Sequence, residues 1–294
     1  VLLLLDLARL LLGTALLAFA SFTDWRWRRA PNALWWVMAG AASLFLLVEA
    51  ARDPAPLAGR WPYLLGVPVL VVLASETTLG DVAAGALALA GAAGAFVEAR
   101  VAPDGLTAQW PYLVGIVAFA ALIYAFWYFG LIAGGADAKA LMAIAVLLPF
   151  PLALGDSLPL LRDPLPGSFG VLADSLVLFL VVPLALFTWN VAHGDVRLPY
   201  ALLGLKRKAR DVTRGHAWPM ELVDTEGKRS MRLFSSRMSP SEADEAFGRV
   251  QALGDERVWV TPKIPYMLPL LGGFVCAFVL GDLLLAAMGR LGGH

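Results

Sequence analysis

The chain has 294 residues, 23 basic and 23 acidic side chains and a formal net charge of zero; 59% of its residues are hydrophobic and only 16% charged. That balance excludes an ordinary soluble domain and points to a polytopic membrane protein embedded in a lipid bilayer. Zero net charge gives no argument for a nucleic-acid partner, and none is expected; the distribution of charge carries the information instead. The single cysteine, Cys276, lies inside a hydrophobic span, which excludes an intramolecular disulfide and a zinc site built on several thiolates. His193, His216 and His294 are too scattered to form a ligand cluster, so neither a metal nor another cofactor is expected.

A spanning helix needs roughly 20 mostly apolar residues. Taken in chain order, about eight stretches qualify: 2–22, 32–49, 61–75, 80–98, 110–132, 138–154, 171–191 and 264–288. The first has no basic segment before it and is followed by arginines where a small-residue cleavage site would belong, so it reads as a retained helix rather than a signal peptide. The third is short and contains Pro68. Trp61-Pro62-Tyr63 echoes Trp110-Pro111-Tyr112, which fits either an internal duplication or the shared chemistry of helix starts at a headgroup boundary.

Charge placement sets the orientation. The cluster Arg26, Arg28 and Arg29 and the run Lys206-Arg207-Lys208-Ala209-Arg210 both fall on one side, and short basic loops stay in the cytoplasm. Residues 193–263 turn polar and form a small cytoplasmic domain. Residues 220–223 and 232–234 flank Asp224-Thr225-Glu226-Gly227 as a hairpin. Ser239-Pro240-Ser241-Glu242 is a capping box opening a helix to about Leu253, and a strand runs over 257–261. The expected fold is therefore an all-α polytopic membrane protein. It divides into helices one to seven in 1–192, a small α+β cytoplasmic domain inserted at 193–263, and a last helix in 264–294.

Two carboxylates stand at membrane boundaries on the predicted cytoplasmic side. Asp24 ends the first span in Asp24-Trp25-Arg26-Trp27-Arg28-Arg29-Ala30-Pro31-Asn32, and Asp137 opens the sixth in Gly134-Gly135-Ala136-Asp137-Ala138-Lys139. An ionisable group at the edge of hydrocarbon is a functional-site hypothesis, and two that converge suggest a shared proton. Gly134 and Gly135 allow close backbone approach. The plain alternatives are an N-cap for Asp137, a solvated place beside arginines for Asp24, and a cap for Asn32. Asp81 and Glu76 are competing acids on the same side, whereas Asp6 with Arg9, and Asp282, fall near the opposite face.

At these residues the chain resembles the archaeal prepilin and prearchaellin peptidases, which process class III signal peptides. Asp24, Arg26, Arg28, Pro31 and Asn32 fit that family's first motif, D-x-(R/K)-x-R-x-x-P-N. Asp137 fits its G-x-G-D-x-K motif, with Ala136 in place of the second glycine, and Thr261-Pro262-Lys263-Ile264-Pro265-Tyr266 also looks like archaeal relatives. The resemblance implies an aspartic endopeptidase that removes a short basic leader from pilin-like or archaellin precursors at the cytoplasmic face of the cell membrane. It assigns Asp24 and Asp137 as the catalytic pair, with Arg26, Pro31, Asn32, Gly134, Gly135 and Lys139 supporting. The bacterial enzymes that also methylate carry a multi-cysteine domain, which a chain with one cysteine cannot build, so no methyl transfer is expected. The substrate's apolar helix is expected to pack against helices one, five and six. The alternatives are a presenilin or signal-peptide-peptidase type of intramembrane protease, which would need deeper aspartates and a P-A-L motif, and a transporter or scaffold.

Overall fold

In the computed structural model the described residues are 2–75, 78–102, 105–132, 134–153, 165–212, 217–223, 227–231, 240–254 and 256–292. Along the chain run α1 (Leu2–Trp27), α2 (Ala33–Arg52), a 3-10 helix (Leu57–Leu65), α3 (Gly66–Ala74), α4 (Thr78–Val101), α5 (Trp110–Tyr128), α6 (Gly135–Leu147) and α7 (Gly167–Phe179). There follow α8 (Val181–Ala192), α9 (Tyr200–Leu203), β1 (Leu205–Lys208), a 3-10 turn (Ala209–Asp211), β2 (Ala217–Pro219), β3 (Glu221–Val223) and β4 (Arg229–Met231). The chain ends with α10 (Pro240–Gln251), β5 (Arg257–Pro262), α11 (Met267–Val279) and α12 (Leu283–Gly292). Two compact units result, one of Val1–Leu178 with Tyr266–His294, the other of Phe179–Pro265.

Among the described residues six helical stretches are long and apolar enough to cross a membrane: Leu3–Trp27, Ala33–Arg52, Leu57–Ala74, Val82–Val101, Trp110–Tyr128 and Gly167–Ala192. The other two expected spans are broken. α6 has 13 residues, roughly 20 Å at 1.5 Å per residue, short of a hydrocarbon core about 30 Å thick. Pro149 and Pro151 end it, and Leu148, the residue before the first of them, is pushed out of helical geometry to φ −124° and ψ 60°. The final span splits at Gly281, whose φ of +86° only glycine adopts readily, and Asp282 Oδ1 then accepts from the Leu285 N–H to start α12. The echoing Trp-Pro-Tyr segments differ in structure: one lies within a 3-10 helix, the other opens α5.

α6 is the axis of the first unit. Every residue from Ala140 to Leu147 is buried, packed by α2, α5 and α3, with α1 touching it as well. A helix apolar all round belongs inside a bundle, and in a bilayer it is held by close packing rather than by escape from water. The irregular stretch after it is tolerated because α7 satisfies its carbonyls: Gly167 N donates to Phe150 O at 2.9 Å and Ser168 N to Leu148 O at 3.2 Å. α11 packs along α1, where Gly13 leaves room for the Phe274 ring, and Gly273 lets α11 meet the backbone of Ser175 on α7.

In the second unit β5 lies between β1 and β2, antiparallel to both, with Lys206 opposite Trp259. Val258 and Val260 from β5 join Val212, Phe247 and Val250 in its core. The expected hairpin is present as β3 against β4, its second strand beginning at Arg229; its turn residues 224–226 and the expected strand 232–234 lie outside the described residues. Ser239 of the predicted capping box lies outside them too, and Pro240 takes the first position of α10. The run Lys206-Arg207-Lys208 is an edge strand, a place where charge discourages further pairing. Asp195 ties that strand to the centre of the sheet, 2.8 Å from Lys206 Nζ and 2.9 Å from an Arg257 nitrogen.

Candidate active site

Asp24 lies in the last turn of α1, which two buried hydroxyls hold in place: Thr23 Oγ1 donates to Ala20 O and Ser21 Oγ to Met267 O, each at 2.9 Å. The helix stops because Arg28 adopts the left-handed region at φ +55°, and its N–H returns to Asp24 O at 2.9 Å. For a residue with a side chain that conformation costs about 1–2 kcal/mol. What it achieves is to fold the chain back so that the Arg28 guanidinium acts on the Asp24 carboxylate. The arginine four residues on, rather than Arg26, thus provides the local positive charge. Arg26 is exposed, as are Pro31 and Asn32 in the turn to α2. Asn32 occupies the N-cap position of α2, but its side chain makes no capping bond; backbone carbonyls of Pro31 and Asn32 accept from Leu34 and Trp35 instead.

Asp137 is the third residue of α6. Gly134, not Asp137, is the N-cap residue, so the simple capping role does not describe it. The carboxylate folds back over Gly134: a Cβ built there would overlap Asp137 Oδ2. At Gly135 a Cβ would meet only Trp127 Nε1, at an ordinary 3.6 Å. The methyl of Ala136, where the motif has its usual glycine, packs against the bundle core, and Lys139 is half-buried one turn into the helix. Only this first turn of α6 is open. Beyond Lys139 the helix has no free face, so a substrate helix cannot lie along it as expected.

Asp24 stands in the last turn of α1, Asp137 in the first turn of α6, and Tyr266 is the N-cap residue of α11. The Asp24 charge acts on Asp137, and the Asp137 charge acts on the Tyr266 phenol. Around this end of the unit Phe22, Trp25, Trp27, Tyr128 and Phe129 are exposed, an aromatic collar suited to a headgroup boundary. A charge on one of two such carboxylates disfavours ionisation of the other. Among the described residues no three His, Cys, Asp or Glu side chains converge as metal ligands would. Glu76 lies outside the described residues, and Asp81 falls in the first turn of α4.

A second polar cluster sits fifteen residues earlier on α1, roughly 22 Å along the axis. Arg9, 4% exposed, reaches Asp6 at 3.3 Å and Glu49 at 2.8 Å and lies over the Phe150 ring. With Asp53, Tyr63 and Tyr112 these residues line a cavity of about 780 Å³. Burial pushes the Asp53 carboxyl up, but hydrogen bonds from Thr107, the Ala55 N–H and Tyr63, with Arg60 nearby, outweigh it and hold Asp53 below the usual carboxylate range. Each of these acids is already satisfied by the protein, so the cluster reads as structural.

Sequence reasoning passed over the Arg28 charge that acts on Asp24 and the hydrogen bond that joins Tyr266 to Ser175. The first had a local signal, the i, i+4 spacing from Asp24 on a helix; the second had none. Residues 196–283 match the family model described as Archaeal Peptidase A24 C-terminus Type II. That stretch contains Tyr266 and the β-sheet but neither aspartate. No curated protein matches the chain.

Proposed function

Because the match over residues 196–283 supports a member of the archaeal prepilin/preflagellin peptidase family, we propose that the chain is an aspartic endopeptidase acting at the cytoplasmic face of the cell membrane. Asp24 and Asp137 are its catalytic pair, and its substrates are pilin-like or archaellin precursors with a short basic leader. The observation that supports this reading is that two carboxylates stand at element ends of one apolar bundle, one in the last turn of α1 and one in the first turn of α6, with the Asp24 charge acting on Asp137. One ionised carboxylate takes a proton from water while the neutral partner hydrogen-bonds the scissile carbonyl, the division of labour of aspartic proteases in general.

The surroundings favour this chemistry. The aromatic collar suits a boundary where a precursor's apolar helix can remain in lipid against α1 and α5 while its leader stays in water. The peptide between helix and leader then meets the first turn of α6, the part of that helix still open. Built on packed helices, the two carboxylates are pre-organised rather than carried on loops. No methyl transfer is assigned.

The test is co-expression with a tagged archaeal pilin precursor, following loss of the leader by gel shift and the new N-terminus by mass spectrometry. The wild type is expected to cleave before the hydrophobic segment, and Asp24→Asn and Asp137→Asn to leave the precursor intact while inserting normally. Cleavage by either variant would remove the proposed pair.

A further inference from the structure

We propose that Asp174 and Asp282 are the side-chain ligands of a calcium site at the break between α11 and α12. The site lies apart from Asp24 and Asp137 and does not depend on the peptidase reading.

Two buried acids meet at this break. Asp174, on α7, is fully buried, and Asp282, in the link between the two helices, is 6% exposed. Asp174 Oδ1 accepts from the Leu283 N–H at 2.9 Å, so its carboxylate is aimed at the residue bonded to Asp282. Gly170, one turn before Asp174, lets α7 close on the same point: a Cβ built there would lie 3.9 Å from the Cβ atoms of both Asp282 and Ala277. Further along the same pair of helices Gly273 seats the Ser175 backbone, where a Cβ would collide with it. Both carboxylates therefore enter one gap from two packed elements.

The plain reading is that both acids cap α12. Each spends its Oδ1 in that way, Asp174 on the Leu283 N–H and Asp282 on the Leu285 N–H, both at 2.9 Å. Asn would serve such a cap equally well and carry no charge. What capping leaves over is the second oxygen of Asp174, buried and without a hydrogen-bond partner among the described residues. Among those residues neither acid stands in an ion pair. The helix ends do not supply the missing charge, because the N-terminus of α12 contributes about +0.5 and the C-terminus of α11 about −0.5. Buried carboxylates with no counter-charge are strongly disfavoured.

A metal cation bound by oxygen answers all of this. The ladder of α11 stops with the bonds from Leu280 N to Cys276 O and from Gly281 N to Ala277 O, so the carbonyls of its last turn point along the axis toward the same break. Broken helices inside membranes use such carbonyl ends to hold cations. A shared proton would remove one of the two negative charges; a divalent cation removes both. Oxygen donors select a hard ion, and calcium accepts carboxylates, carbonyls and water in irregular geometry, where magnesium demands a near-ideal octahedron. Two side chains alone fall short of a cage, so backbone carbonyls and water complete it.

The experiment uses purified full-length protein in nanodiscs of zwitterionic lipid, which keeps calcium from acting through anionic headgroups. Protein stripped with EDTA is titrated with CaCl2, against NaCl at matched ionic strength, for wild type, Asp174→Asn and Asp282→Asn. Each Asn keeps an oxygen for its N–H, so the cap survives and only the charge is lost. Isothermal titration should give one calcium per wild-type chain. The thermal midpoint should rise by about 5 °C at a hundredfold excess over Kd. Each variant should bind calcium at least about tenfold more weakly and, in EDTA, should melt no lower than the wild type. Titration of the wild type decides whether calcium binds, and either variant by itself decides where. No calcium binding, or a rise reproduced by NaCl, would overturn the proposal. Undiminished binding in a folded variant would place the ion elsewhere and overturn it as well. A wild type indifferent to calcium but stabilised by acid would show that protons neutralise the pair instead.

Discussion

A methyl group at position 134 would occupy the space of the Asp137 carboxylate, whereas one at 135 would only touch an indole nitrogen. Gly134→Ala is therefore expected to lower precursor cleavage about 100-fold, the scale on which misplacing a catalytic group by an ångström is felt. Gly135→Ala, which places a better helix former at the first helical position, should lose far less. Cleavage rates of the two variants at equal membrane levels check this, and equal losses would contradict it. Arg28 acts by charge. Replacing it with methionine removes the cation beside Asp24 and is expected to lower precursor cleavage more than Arg26→Met does; equal cleavage by the two variants at equal membrane levels would sink that assignment. Arg28 was legible from its i, i+4 relation to Asp24, and both aspartates were legible as candidates from motifs at span ends. Tyr266 and Ser175 were not legible as a pair. They are 91 residues apart, and only the packing of α11 on α7 joins them.

Among elements, the breaks were written in the sequence but outweighed by apolar composition. Pro149 and Pro151 after α6, and Gly281-Asp282 between α11 and α12, are ordinary stop and start signals within runs hydrophobic enough to pass as single spans. The contact from α1 to α2 gives a second test. Removing Arg9 leaves Asp6 and Glu49 as buried acids without their cation, which costs about 3–5 kcal/mol where one partner of a buried pair is lost. Arg9→Met should lower the thermal midpoint markedly, and adding Asp6→Leu and Glu49→Met should recover most of it. In the second unit, the hydrogen bond from Lys206 holds the Asp195 carboxyl below its ordinary value against the opposing effect of burial, helped by the charges of Lys206 and Arg257. A carboxyl depressed on folding stabilises fully above its unfolded value, about 3.9, and loses that contribution as pH falls through the lower folded value. Hydrogen exchange over 193–208, corrected for intrinsic rates, should lose protection on acidification in the wild type. In Asp195→Asn it should already be low and change little.

At the scale of the whole molecule, zero net charge conceals a strong asymmetry, with most basic residues in the Arg26–Arg29 turn and between residues 197 and 263. The bundle supplies the reason for burying α6 so completely: a helix packed on every side holds its first turn, and the carboxylate there, in one position. The measurement that tests the account most directly is the cleavage rate of one precursor by bilayer-reconstituted wild type, Asp24→Asn, Asp137→Asn and the double variant. Groups that act as one unit are not additive. The account predicts that each single variant falls to the same residual rate as the double. A single variant that keeps substantial activity, or a double variant slower than both by the product of their separate losses, would contradict it.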